Sequence, residues 1–312
     1  MKMKEGIRHN NHIIPRFYLK GFTDSVDTKF IWVYTKGKSY NPGKQNVDIY
    51  SPCLTSTRAA GAQFDFYIYQ HLEGNEVDDL HEKQLEKIEG YSQPILQKIR
   101  ERRLISDIEK LSFSEYIMLL VKRVPYQRND PNNNVMKAAG ESFIDLEKKL
   151  NSFLEKNKKD EVRYKKLMAS KKELERLKTF YYKNPEKVRQ HLYNQSLTQT
   201  SLLQVRVLSS MNWTFLINES RSPFLTSDNP VYYDRVVGVN QSDVSFPISS
   251  NIALVCSWKN EPYAFIKATE EKIRRINRRT CKLSTNHLFA SINEEWITKM
   301  ANKSRYEIGK RV

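Results

Sequence analysis

The chain has 312 residues, 39% hydrophobic and 28% charged, a globular composition long enough for one large domain or two ordinary ones. No apolar run approaches the roughly 20 residues of a membrane-spanning helix, and the basic first residues lead into no apolar secretory segment. Cys53, Cys256 and Cys281 form no CxxC pair, which argues against a disulfide framework or a zinc ribbon, so the expectation is a reduced, cytoplasmic protein that meets no membrane.

The net charge of +16 is unevenly placed. Residues 147–189 hold 15 Lys/Arg against 7 Asp/Glu, residues 267–282 hold 7 against 2, and residues 299–312 hold 5 against 1. Everything outside these segments is nearly neutral. Concentrated positive charge points to a polyanionic partner, nucleic acid first. In 147–189, however, Lys and Glu interleave as they do on an ordinary solvated helix.

In chain order, Ile13, Ile14, Phe17, Tyr18, Leu19 and Phe22 tie the N-terminal region into a core. Pro15 suits the first turn of a short helix, with Arg16 and Lys20 on one side and Tyr18 and Phe22 on another. His12 stands just before it, where an imidazole can cap the helix, reach a cleft or serve as a satisfied structural group. Residues 30–34 are β-branched and aromatic and read as a strand, Lys36-Gly37-Lys38 as a turn, and residues 47–50 as a second strand completing a hairpin. Residues 63–69 read as a further short strand.

From about 78 to 210 the period becomes helical. Leu85, Ile88, Leu96 and Ile99 share a stripe, and Pro94 predicts a kink or a division of that helix. Ser112-Phe113-Ser114-Glu115 fits a capping box opening the next helix, with Arg123 near its end. Residues 129–134 are a break, and amphipathic helices follow over roughly 135–157, 160–182 and 186–210. Strands return at 213–217, 223–226, 231–233, 252–258 and 264–267, with 246–251 a turn-rich entry to the fourth. Residues 270–281 read as a basic helix with Ile273 and Ile276 inward and Arg274, Arg275, Arg278 and Arg279 outward or toward an anion; 287–291 is a last strand.

Phe224-Leu225-Thr226-Ser227-Asp228-Asn229-Pro230 is the stretch around which the rest is organised. A short strand ends near Thr226, and Ser227, Asp228 and Asn229 offer side-chain oxygens at its end, either as a well-made Asx turn or as part of a site. No P-loop, GxGxxG, GxSxG or HExxH is present.

Taken jointly, these segments resemble a bacterial protein family of unassigned function. The resemblance rests on His-x-x-Pro-x-Phe-Tyr-Leu-x-x-Phe from His12 to Phe22, then Trp32, Ile88-Glu89 and the Arg-x-Pro of Arg123 and Pro125. It continues through Ser-Asp-Asn-Pro (Ser227 to Pro230), Pro247-Ile248-Ser249 in place of the usual Pro-Leu-Ser, Asn277 and Phe289. It implies a one-piece cytosolic protein and sharpens the candidate site to His12, Arg16, Tyr18, Arg123, Ser227, Asp228 and Asn229.

The architecture expected is α+β, with a mainly antiparallel sheet built from N- and C-terminal strands. Residues 1–77 and 211–312 form that core, and residues 78–210 a large helical insertion. The function expected is action on nucleic acid, RNA before DNA, as a metal-independent ribonuclease of a bacterial defence or toxin system. His12 is its general acid/base, Arg16 and Arg123 hold phosphate, Asp228 orients a partner, and Tyr18 or Asn229 donates hydrogen bonds. Glu89 with Asp228 offers a place for one Mg²⁺, a less attractive route given so few carboxylates. The alternative is a nonenzymatic module that binds nucleic acid or protein. It predicts basic groups on an open face, with Asp228 and Asn229 consumed by backbone hydrogen bonds. A transferase using a nucleotide cosubstrate is a third reading, without a phosphate loop to support it.

Overall fold

The computed structural model of the chain describes residues 10–24, 27–36, 51–64, 69–70, 77–78, 80–124, 134–198, 201–233 and 242–303. The chain opens with β1 (Asn10–His12) and α1 (Arg16–Leu19), which runs into a 3-10 turn over Lys20–Phe22. Next come β2 (Phe30–Thr35), β3 (Cys53–Ser56), β4 (Ala62–Phe64), β5 (Tyr69–Gln70) and β6 (Val77–Asp78). The second strand expected at 47–50 lies outside the described residues; β2 pairs antiparallel with β3, Trp32 opposite Leu54. Pro15 precedes α1 in extended backbone, as proline before a first helical turn should.

The helical stretch comprises α2 (Leu80–Arg100), α3 (Asp107–Lys122), α4 (Asn134–Lys156), α5 (Glu161–Lys183), α6 (Pro185–Thr198) and α7 (Leu202–Ser210). Two sequence expectations change here. Pro94 does not divide its helix but sits inside α2. The capping box of α3 is Ser106 with Glu109, not Ser112 with Glu115, so that helix starts a turn and a half earlier than expected. Both stretches carry Ser-x-x-Glu. The upstream one wins because Ser106 and Glu109 satisfy each other's backbone N–H groups, while Glu115 of the downstream one accepts from the Tyr91 hydroxyl instead.

After the helices come β7 (Asn212–Ile217), β8 (Thr226–Ser227), β9 (Tyr232–Tyr233), β10 (Val244–Ser249), β11 (Ile252–Ser257) and β12 (Phe265–Lys267). The chain then forms α8 (Glu270–Leu283), β13 (His287–Ala290) and α9 (Glu295–Lys303). One sheet has the order β12-β7-β11-β10-β9, antiparallel except for the parallel β12–β7 pair. The other, β3-β2-β13-β8, joins N-terminal to C-terminal strands. The fold is therefore α+β, with its described strands divided among these two larger sheets and the two-stranded pairs β1–β4 and β5–β6. The stretch expected to be a turn-rich entry is the buried strand β10. Pro247 stays in register with Ala253 of β11; the shift falls at Ile248, and on the other side β9 pairs only with Val244 and Ser245, so among the described strands no second neighbour meets the N–H that Pro247 lacks.

The main core is continuous across sheets and helices. Leu96 and Ile99 of α2, Phe113 and Tyr116 of α3 and Leu208 of α7 pack with Tyr18, Trp213, Phe246 and Phe289. By contrast α4 and α5 lie largely exposed and pair with each other, Tyr181 Oη donating to Met136 O at 2.5 Å. Arg100, at the end of α2, donates to Phe17 O, Tyr18 O and Ile248 O and so ties α1 to β10. Burial lowers its pKa to about 10, leaving it charged at neutral pH. Gly21 lies against that guanidinium, where a Cβ would come within 2.3 Å of Nη2.

Candidate functional site

The Ser-Asp-Asn-Pro segment is a clasp made of short polar side chains. Ser227 Oγ accepts from Asn229 N–H at 3.1 Å and donates to Asn229 O at 2.8 Å, closing the turn on itself. Asn229 Nδ2 donates to Leu283 O at 3.2 Å, reaching the last residue of α8. The Asp228 carboxylate receives three backbone N–H groups from the loop before β13: Thr285 at 2.7 Å, Asn286 at 2.6 Å and His287 at 3.2 Å. Three donors aimed at two oxygens suit an acceptor-only carboxylate. Burial raises the Asp228 pKa, and the N–H bonds pull it back in part. Asn277 secures the approach, accepting from Leu225 N–H and donating to Pro223 O.

Next to this clasp stands Lys36, which the sequence suggested only as part of a turn. It follows β2 and is buried, and its Nζ donates to Cys281 O and Ser284 O, each at 2.9 Å. A cation there meets the negative end of the α8 dipole and satisfies terminal carbonyls. Burial lowers its pKa, opposed by the Cys281 thiol and by Asp228. Lys36, Asp228, Asn286 and His287 line a cavity of about 630 Å³ together with Ile13, Ile14, Val33 and Phe289. His287 Nδ1 lies 3.5 Å from Thr35 Oγ1. The signal that would have found His287 is strand alternation: 33, 35, 287 and 289 fall on one face of paired strands, a pattern to which Lys36 does not belong.

His12, Arg16 and Arg123 form a separate group. Arg123, at the C-cap of α3, pairs with Glu89 of α2 and donates to His12 O. Burial lowers the His12 pKa, a hydrogen bond to the Arg58 backbone opposes this, and Arg123 lowers it further. Among the described residues His12 Nε2 is buried without a hydrogen-bond partner. Arg16 is exposed and donates to Thr57 Oγ1 at 3.3 Å. The charges that act on His12 are those of Arg123, Glu89 and Arg16, whereas Asp228 senses His287 and Lys36. Tyr18 joins neither group: it is wholly buried, its hydroxyl 2.7 Å from both Thr226 Oγ1 and Pro247 O. Glu89 is engaged by Arg123, and among the described residues no three His, Cys, Asp or Glu side chains gather as a metal-binding group.

The basic helix is α8. Thr269 caps it, accepting from Lys272 N–H, and Ile273, Ile276, Asn277, Thr280 and Cys281 face inward. Arg274, Arg275 and Arg278 are exposed, and Arg279 lies over the Tyr232 ring at 4.5 Å with Asp243 3.6 Å away. With Lys282, Tyr232 and one carboxylate, Glu271, these side chains line a groove of about 410 Å³. Arg274 pairs with Glu270, but among the described residues neither Arg275 nor Arg278 has an acidic partner. The 147–189 run differs: Lys158, Lys165, Arg176 and Lys178 each pair with a Glu. Of the third basic segment, residues 304–312 lie outside the described residues.

An α+β frame that clasps a basic helix to a sheet around one polar-rimmed cavity is thus the class of molecule present. Residues 10–294 match the family model described as a protein of unknown function (DUF4238), and the chain belongs to that family. Neither the curated proteins nor the solved structures give a significant match to the chain. No helix among the described residues is long and apolar enough to cross a membrane.

Proposed function

We propose that the protein is a nucleic-acid-binding module that takes single-stranded RNA along α8. The observation that carries this reading is the run Arg274, Arg275, Arg278 and Arg279 with Lys282 along one groove, beside the Tyr232 ring. Arginine forks grip phosphate in two-pronged fashion, and the planar Arg279 guanidinium, laid over the Tyr232 ring, is a surface of the kind on which bases stack. Binding is favoured over catalysis because Asp228 and Asn229 are engaged by backbone groups. Contact of all five groove cations with phosphate predicts that log affinity falls with log salt at a slope of about −3.5 on single strands and about −4.5 on duplex DNA. Filter binding across a salt series tests it. Glu substitutions at Arg274, Arg275 and Arg278 should flatten the single-strand slope by about 2 units, and the same changes at Lys158, Lys159 and Lys165 should leave it nearly intact. No binding at low salt, or equal loss from both sets, refutes the proposal.

A ribonuclease centred on His12 is the second reading, favoured by its unpartnered Nε2 and lowered pKa between Arg16 and Arg123. A neutral imidazole is equipped as a general base; of the two cations, Arg16 is exposed and could meet phosphate, whereas Arg123, expected from the sequence to hold it, is buried and committed to Glu89 and His12 O. It requires that wild-type protein cleave RNA in EDTA and that His12→Ala abolish the cleavage; intact RNA with the wild type removes it.

A further inference from the structure

The cavity between the Ser-Asp-Asn-Pro clasp and β2 is a built pocket that the phosphate-gripping role of α8 leaves unused. Its polar rim brings together one cation and one anion that do not form a direct ion pair. Lys36 commits two of its three N–H donors to Cys281 O and Ser284 O, leaving one. Asp228 is fixed by three backbone N–H groups and cannot swing aside. A phosphate entering here would meet that fixed carboxylate, so the rim disfavours an anion. A purely aliphatic ligand would strand both charged groups, which is costly for buried polar atoms. A flat, uncharged ring whose edge carries an acceptor next to a donor answers both groups and the apolar lining at once. The lining suits such a ring, with Val33 and Phe289 offering apolar surface and Thr35 and Thr55 further polar groups. A volume of about 630 Å³ lies within the usual range of small-molecule sites.

We propose that this cavity binds a nucleobase, Lys36 donating to a ring acceptor and Asp228 accepting from the neighbouring N–H. Every nucleobase places a donor beside an acceptor on its pairing edge, so the rim reads ring chemistry rather than one sequence. The pocket lies at the C-terminal end of α8, whose other residues line the basic groove. The inference rests on the nucleic-acid reading above for its physiological ligand, but its chemistry stands alone. The occupant is either a free nucleoside or one base of a strand whose phosphates lie on α8.

The test uses the full chain, with uridine and guanosine as uncharged probes in thermal unfolding, and oligouridylate with and without abasic units in filter binding. Thr55→Trp fills the cavity from the edge strand β3, and Lys36→Met removes the donor. At nucleoside concentrations tenfold above Kd the folding equilibrium constant should rise about elevenfold in wild type and stay unchanged in Thr55→Trp. A nucleoside response alone assigns the free nucleoside. Affinity that also drops with abasic substitution, only while the pocket is open, assigns a strand base. Folded wild-type protein that responds to neither nucleosides nor base removal overturns the inference, yet leaves the α8 proposal standing if the salt slope persists. Nucleoside binding without any polymer binding does the reverse.

Discussion

Asp228→Asn isolates the clasp, because it removes a charge and an acceptor while keeping the shape. Asn has one oxygen for the two that Asp228 uses. Its better orientation puts that oxygen where Asn286 and His287 donate, and turns its NH₂ toward the Thr285 N–H, leaving one buried donor facing another. An unsatisfied buried N–H costs about 1–3 kcal/mol, and the two surviving bonds weaken by roughly half when their acceptor loses its charge. Relief of the desolvated carboxylate returns part of this, so the net loss should be about 2–3 kcal/mol. For a chain of this size that lowers Tm by roughly 3–5 °C. Urea unfolding followed by far-UV circular dichroism measures it, with Asp228→Ala losing more because all three donors are orphaned. The reasoning fails if Asp228→Asn matches or exceeds wild-type stability. A buried charge kept for chemistry rather than for structure would give that opposite sign.

Tyr18→Phe keeps the stack on Phe246 but strands the Pro247 carbonyl and the Thr226 hydroxyl, and should cost about 1–3 kcal/mol in the same assay. Gly21→Ala places a methyl against the Arg100 guanidinium; if Arg100 cannot retreat, it loses carbonyls of both α1 and β10, and the loss should exceed 1 kcal/mol, as expected for overpacking of about one methyl. Glu89→Ala leaves the nearly buried Arg123 guanidinium without its carboxylate, costing about 3 kcal/mol, and a second change of Arg123 to Met should restore part of that loss. Because burial holds the folded His12 pKa below 6.5, the unfolded chain takes up that proton first as pH falls. Stability should therefore be lost below about pH 6.5, and His12→Gln should flatten that part of a stability–pH profile; an unchanged slope would remove His12 as its source.

Long periodic segments were legible because one burial pattern decides each of them. The stripe of Leu85, Ile88, Leu96 and Ile99 and the two-sided basic helix are of this kind, and α8 extends only to Leu283 beyond its expected end. Misreadings came where two local signals competed: two Ser-x-x-Glu boxes within ten residues, and a proline inside a buried strand whose bulge the sequence does not announce. The Ser-Asp-Asn-Pro turn was readable as a turn. Its partners were not, since Thr285, Asn286 and His287 offer backbone N–H groups that every residue but proline carries. Lys36 was hidden for a related reason. A lysine after a strand is usually solvated, and only pairing of β2 with β13 places it over the end of α8.

The order β3-β2-β13-β8 also sets a schedule for synthesis. The hairpin of β2 and β3 emerges early, yet the strand that covers its inner edge begins at His287, some 250 residues later. At roughly 5–20 residues per second, translation leaves that edge without its partner for about 10–50 s. Through this interval Tyr34 and Ile31, both buried in the finished sheet, flank an open row of hydrogen-bonding groups, the arrangement that recruits foreign strands. Only when β13 arrives can Asp228 and Lys36 close on the same loop, so the last tenth of the chain locks a sheet begun in the first. Quality of production in a cell should accordingly depend on how fast the ribosome reaches residue 290 and on what shields the hairpin until then.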